Sequence, residues 1–272
     1  MAKIPKKQDS LTEIMESGLV EQEYRPYIGM SGLLGKCPRY LWYNFRWAYS
    51  RLTTKRTDRL FKRGDLEEPR VVEDLMAAGV KVSYALDDQI ELIDQTGHIA
   101  GHPDGNADNV PTAEKTTHLL EVKTMADKYY KNFLRLGLEK SDPVYWGQCH
   151  TYCGEMKLTR ILFIATNKNT EERTYMRYHY DKSVHDECMS LGMDVLTSEG
   201  PPKKIGDRTW YECKMCPAKE VCHYDHPIKK TCRTCIQSNI EMEGKWSCEL
   251  KQKELSYDEQ MAACGDYEQT RV

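Results

Sequence analysis

The run His118-Leu119-Leu120-Glu121-Val122-Lys123 alternates faces and predicts a β-strand over 117–124. Arg160 to Asn167 (RILFIATN) is apolar almost throughout and reads as a buried strand. Glu172 to Tyr180 (ERTYMRYHY) alternates and reads as a half-exposed one. Earlier strands are predicted at Val80 to Tyr84, Gln89 to Asp94 and Ile99 to Ala107, with Gly97, Gly105 and Pro111 as punctuation. Helical spacing covers 126–136, 142–157 and 184–196, and Gly200-Pro201-Pro202 breaks the chain after the last. Ser10-Leu11-Thr12-Glu13 is a capping-box sequence and predicts a helix from Ser10 to about Gln22. Gly29, Gly32 and Gly35 mark a loop before an aromatic helix with Cys37 at its mouth. A further helix runs through Phe61 to Pro69 and Val71 to Ala78, with Gly79 as its stop. Gly64 inside it costs stability, so a close approach is expected there. The order of elements predicts an α/β core with a mixed sheet.

Composition narrows the class. The 272 residues are 40% hydrophobic and 30% charged, as for a globular protein, and allow one large domain or one domain plus an appendage. No run approaches the ~18 apolar residues of a membrane span. MAKIPKKQDS has no apolar core, so no signal peptide is expected, and the cytoplasm of a bacterium or phage-infected host is the expected compartment. A net charge of −3 does not advertise nucleic-acid binding, so any basic contact surface has to be local. Arg51 to Arg63 is the basic stretch: six basic residues and one acid. It is a solvated helix face or a phosphate-contacting surface.

The candidate chemistry lies between Gly101 and Thr124. On the 117–124 strand Glu121 and Lys123 project to one side, and the preceding strand can present Asp104 beside them. Two carboxylates can hold a hard divalent cation, and an ammonium can orient or deprotonate a water. The cation polarises a phosphoryl oxygen, so the set suits phosphodiester hydrolysis. An acid-x-Lys strand alone is a common chance pattern. Gln148 and Tyr152, four apart, share one helical face, and core packing is the plain alternative for Tyr152.

Eleven cysteines in a reducing compartment are not expected to form disulfides. Cys232-x-x-Cys235, Cys248 and Cys264 read as a small zinc module, with His223 and His226 as substitute ligands. Its basic and aromatic neighbours could grip DNA, or zinc could simply fold a tail too short for its own core. Cys149, Cys153 and Cys188 read as core thiols.

Over residues from about 37 to 222 the chain resembles the RecB-like branch of the PD-(D/E)xK nucleases. Four matches in order carry the likeness: Gly64-x-x-x-Glu68-Pro69, Asp104 in Gly-x-Pro-Asp-Gly, Glu121-Val122-Lys123, and Gln148-x-x-x-Tyr152. The resemblance implies a restriction-endonuclease-like core, a central mixed β-sheet flanked by helices, over residues 1–227. A cysteine-rich metal-binding tail over 228–272 would follow. It implies Mg²⁺ or Mn²⁺ on Asp104, Glu121 and the Val122 carbonyl, with Glu68 as an additional acid, although Glu67 competes for that role. Lys123 would position the attacking water, while Gln148 and Tyr152 would contact DNA phosphate. His102 would be a bystander.

Cys37 with Cys213-x-x-Cys216-x5-Cys222 resembles the iron–sulfur staple of CRISPR-associated RecB-type exonucleases and of helicase–nuclease subunits. The implied cofactor is a 4Fe–4S cluster, and zinc is the alternative on the same sulfurs. The implied activity is metal-dependent exonucleolysis of linear duplex or single-stranded DNA in phage or bacterial recombination, with a single-strand annealing or other recombination protein as partner. The alternatives are a CRISPR-adaptation-type trimming nuclease and a non-catalytic DNA-binding subunit.

Overall fold

A computed structural model describes residues 10–270. In chain order these form α1 (Ser10–Glu16), β1 (Leu19–Glu21), β2 (Ile28–Gly29), α2 (Pro38–Phe45), β3 (Leu52–Thr54) and the long α3 (Lys55–Ala77). Next come β4 (Lys81–Ser83), β5 (Leu92–Ile93), β6 (Ile99–Gly101), β7 (Gly105–Asp108) and β8 (His118–Met125). α4 (Asp127–Ser141), α5 (Pro143–Glu155), β9 (Arg160–Asn167), β10 (Arg173–His179) and α6 (Lys182–Thr197) follow. Two short helices, α7 (Tyr211–Met215) and α8 (Lys219–His223), lead to β11 (Ser238–Ile240), β12 (Trp246–Cys248), β13 (Lys253–Glu254) and α9 (Tyr257–Met261).

The fold is mixed α/β. Its central sheet has the order β10-β9-β8-β7-β4, with β8 and β9 parallel and the other pairs antiparallel. The period-2 pattern of β8 and β9 divides the core. Leu120, Val122, Leu162 and Ile164 pack with Val71 of α3. Leu119, Ile161, Phe163 and Ala165 pack on the other face with Phe133 and Leu138 of α4 and Cys149 and Cys153 of α5. Burying each large apolar side chain stabilises the fold by about 1.5–3 kcal/mol. Glu121 is in register with Phe163 and Lys123 with Ala165. The two polar residues therefore enter the α5 face among apolar neighbours.

Several sequence expectations change. The first helix stops at Glu16 rather than Gln22, because Gly18 takes φ 87° and Leu19–Glu21 pairs with β3. The strand expected over 99–107 is two strands in two sheets: β6 joins β2 and β5, while β7 joins β4 and β8. Gly105 forces the break, with φ 136° and a position where a Cβ would lie 2.9 Å from the Ser83 carbonyl oxygen. No close approach occurs at Gly64: a Cβ there would meet nothing within 4 Å. The expected helix over 126–136 does end at a real boundary, because Gly137 takes φ 73° and kinks α4. The charged segment before Ser10 falls outside the described residues. No described helix is long and apolar enough to cross a membrane.

The cysteine-rich tail packs against the rest of the chain. Trp246 and Leu255 join the same core as Phe45 and Ile99. Gly97 sits so close to the tail that a Cβ on it would lie 2.2 Å from the Gly244 nitrogen. Arg233 is 1% exposed; its guanidinium lies 3.8 Å from the Trp47 ring centroid and 4.6 Å from that of Trp246. It donates to the Pro26 and Phe45 carbonyls at 3.0 Å and to Gln260 Oε1 at 2.8 Å.

Candidate active site

The loop after β6 delivers Asp104 to the edge of β8, where its Oδ2 accepts from the Val122 N–H at 2.7 Å. Lys123 Nζ lies 3.6 Å from the same oxygen, donates to the Val122 carbonyl at 3.2 Å and is hydrogen-bonded to Glu121 Oε1. One ammonium thus touches three oxygens: an Asp104 carboxylate oxygen, a Glu121 carboxylate oxygen and the Val122 carbonyl. Glu121 is fully buried. Its Oε1 also accepts from Gln148 Nε2 at 2.5 Å, while Oε2 has no partner. A buried carboxylate oxygen left without a donor is costly.

The electrostatics follow from this crowding. Burial, and then the Asp104 charge, push the Glu121 carboxyl up to about 8. Lys123 is held well above the ordinary lysine value: burial works against its charge, but Asp104 and Glu121 outweigh it. Glu68, half-buried on α3, is raised to about 7 by burial and then by Asp104, and Gln89 donates to it at 2.9 Å. Its neighbour Glu67 turns away, is 6% exposed and pairs with Arg173 of β10 at 2.5 Å. Glu68 is therefore the acid that faces the cluster.

Gln148 reaches inward to Glu121, and Tyr152 is 3% exposed within the core, packed against Gly101. Gln89, expected at the start of a strand and given no site role by the sequence, lies in a loop instead, where it donates to Glu68; no motif marks it. His102 is exposed, 3.8 Å from Glu91. Several basic residues near α3 are neutralised by acids: Arg59 meets Glu16 at 2.5 Å, Lys62 meets Asp58 at 2.9 Å and Arg63 meets Glu171 at 3.0 Å. These contacts favour a solvated face there.

All eleven cysteines are free thiols. Cys37, Cys213, Cys216 and Cys222 line one cavity of about 430 Å³ between α2, α7 and α8. Cys232, Cys235, Cys248 and Cys264 line another of about 10 Å³. Cys149, Cys153 and Cys188 lie in the core, apart from both sets. Among the described residues no three His, Cys, Asp or Glu side chains converge closely enough to hold a metal ion between them. The thiols of each set share a pocket without forming a closed cage.

No family model matches the chain, and no curated protein matches it. Solved structures do. An alkaline exonuclease (LHK-Exo) from Laribacter hongkongensis aligns at 15% identity over 63% of this chain and 89% of that one, with a TM-score of 0.44. LHK-Exo in complex with dAMP aligns at 18% identity over 50% of this chain, with a TM-score of 0.40. The alignment spans 65% of that protein's chain, less than two thirds. SSO0001 aligns at 16% identity over 79% of this chain and 93% of that one, with a TM-score of 0.42.

Proposed function

We propose that the chain is a divalent-cation-dependent deoxyribonuclease of the PD-(D/E)xK type that hydrolyses phosphodiester bonds at DNA ends. The observation that carries this reading is the buried Glu121, with one oxygen unpartnered and the other sharing a cation with Asp104 and the Val122 carbonyl. An all-oxygen set already gathered around an ammonium suits a hard cation. Mg²⁺ or Mn²⁺ held by Asp104, Glu121 and the Val122 carbonyl, with Glu68 beside them, would polarise the scissile phosphate and acidify a water.

The chain's own groups divide the remaining work. Lys123, held as an ammonium by Asp104 and Glu121 in the metal-free cluster, would hydrogen-bond the attacking water and the phosphoryl oxygens. Glu68, raised by burial and then by the Asp104 charge, is the carboxylate beside the cluster that would accept the water's proton. Gln148 fixes the Glu121 carboxylate. Tyr152 packs behind the site, and DNA contact by Gln148 or Tyr152 would require either side chain to turn outward.

The two cysteine pockets extend the proposal. The first, at about 430 Å³, has room for a 4Fe–4S cluster on Cys37, Cys213, Cys216 and Cys222. The second, at about 10 Å³, has room for a single ion, which suits Zn²⁺ on Cys232, Cys235, Cys248 and Cys264. Both sets would have to contract onto the metal. The competing reading, a non-catalytic DNA-binding subunit, leaves the cost of a buried acid cluster unexplained.

The test is Mg²⁺-dependent cleavage by anaerobically purified protein on linear duplex, single strand and closed circle, with Asp104→Ala as control. Loss of linear DNA only, absent in the variant, is the expected result. Cleavage of the circle would shift the reading to a trimming endonuclease. DNA binding without cleavage in Mg²⁺ or Mn²⁺ would establish the non-catalytic subunit instead.

A further inference from the structure

A second polar centre lies where α2, α6 and the tail meet, and none of Glu68, Asp104, Glu121 or Lys123 lines it. It is an open cavity of about 770 Å³, within the range of roughly 300–1,000 Å³ typical of small-molecule sites. Arg46, just past α2, forms part of its wall and is 8% exposed. Its guanidinium is held 5.3 Å from the Trp42 ring and 5.3 Å from the Trp246 ring. Nη1 donates to the Arg233 carbonyl at 3.1 Å, and Nε is enclosed without a partner. Among the described residues no carboxylate pairs with it. Burial alone pulls it down to about 10, so it remains charged at neutral pH.

The contrast with Arg233 gives this its meaning. Arg233 is equally cationic and more deeply buried, but carbonyl and amide oxygens and three aromatic rings satisfy it. Both guanidinia lie against Trp246, so two cations share one buried seam with no anion between them. A buried charge without a counter-charge is expensive, and a bound anion removes the cost. The rest of the cavity limits what carries that anion. Met193, Leu196 and Met242 supply apolar walls; Glu199, Glu241 and Asn239 supply acceptors, and neither carboxylate pairs with Arg46. A ligand that fits has an anionic end, a body that tolerates apolar contact, and N–H or O–H donors at its other end.

We propose that this cavity is a nucleoside monophosphate site, with the phosphate on Arg46 and the base between the methionines and Leu196. The Glu199 and Asn239 acceptors face the donors of base or sugar. The site does not rest on the catalytic reading, since binding there needs neither the cleft acids nor cleavage.

The experiment titrates full-length protein carrying Asp104→Ala with dAMP, following heat and the fluorescence of Trp42 and Trp246. Deoxyadenosine and inorganic phosphate are the comparison ligands. Saturable dAMP binding is expected, with both comparison ligands at least about tenfold weaker. Arg46→Gln should weaken dAMP at least about tenfold. Thr197→Trp, an exposed position on the cavity wall, should block binding while leaving the fold and the parent chain's DNA cleavage intact. Absence of dAMP binding would overturn the proposal. So would inorganic phosphate binding as tightly as dAMP, or undiminished binding in Thr197→Trp. If Arg46→Gln fails to fold, Thr197→Trp decides.

Discussion

The acid cleft and the arginine–aromatic seam are both buried polar centres, yet they are built in opposite ways. In the cleft Glu121 keeps an oxygen unpartnered and its carboxyl is pushed up to about 8. In the seam Arg233 is enclosed, and its guanidinium donates to Pro26, Phe45 and Gln260. A polar group that only holds a fold together is satisfied. One left unsatisfied carries a desolvation cost that a bound ion or ligand can relieve. Arg46, beside the satisfied Arg233, belongs with the cleft in this respect.

The comparison predicts that activity and stability separate. Glu121→Gln should lower cleavage at least about a thousandfold while leaving the metal-free protein no less stable, because it removes a carboxyl that the fold keeps from ionising. Steady-state cleavage and thermal melts in chelator check both halves. Arg233→Met should do the reverse: about 3–5 kcal/mol of stability lost in denaturant melts, since the Pro26 and Phe45 carbonyls and Gln260 Oε1 lose their donor. A variant that melted normally would remove the seam from the stabilising side. Gly105→Ala should cost about 1–3 kcal/mol and also displace Asp104, because only glycine takes φ 136° there. Its activity loss should exceed what its stability loss explains.

The pH dependence sharpens the same contrast. Glu121 and Glu68 are raised above their ordinary values, so between about 4.5 and 8 the folded metal-free protein holds protons that the unfolded chain has released. Stability in chelator should therefore fall as pH rises through that window. Melts of Glu121→Gln should show a shallower slope, whereas Arg233→Met should keep the parent slope. The smallest effect is expected at Gly64→Ala, a gain of about 0.5–1 kcal/mol, because the position is helical and open. A loss there would mean that the helix surface carries a contact of its own.

The pattern 118–125 by itself determined that Glu121 and Lys123 share a face, because a strand's side-chain period is two whatever surrounds it. The sequence also placed helices around Gln148 and Val195, where α5 and α6 lie. Spacing could not say that residues 99–107 divide between two sheets, since pairing partners are distant in sequence. Nor could it choose Glu68 over Glu67: the choice rests on Arg173 of β10 drawing Glu67 away. The cysteine spacings suggested two sets, and the fold assembled each set in its own pocket from separate elements. The seam had no motif at all. Arg46, Arg233, Trp42, Trp47 and Trp246 are unremarkable as letters. Only the packing of the tail on α2 brings two cations to one indole, because desolvation and charge proximity are properties of space rather than of sequence.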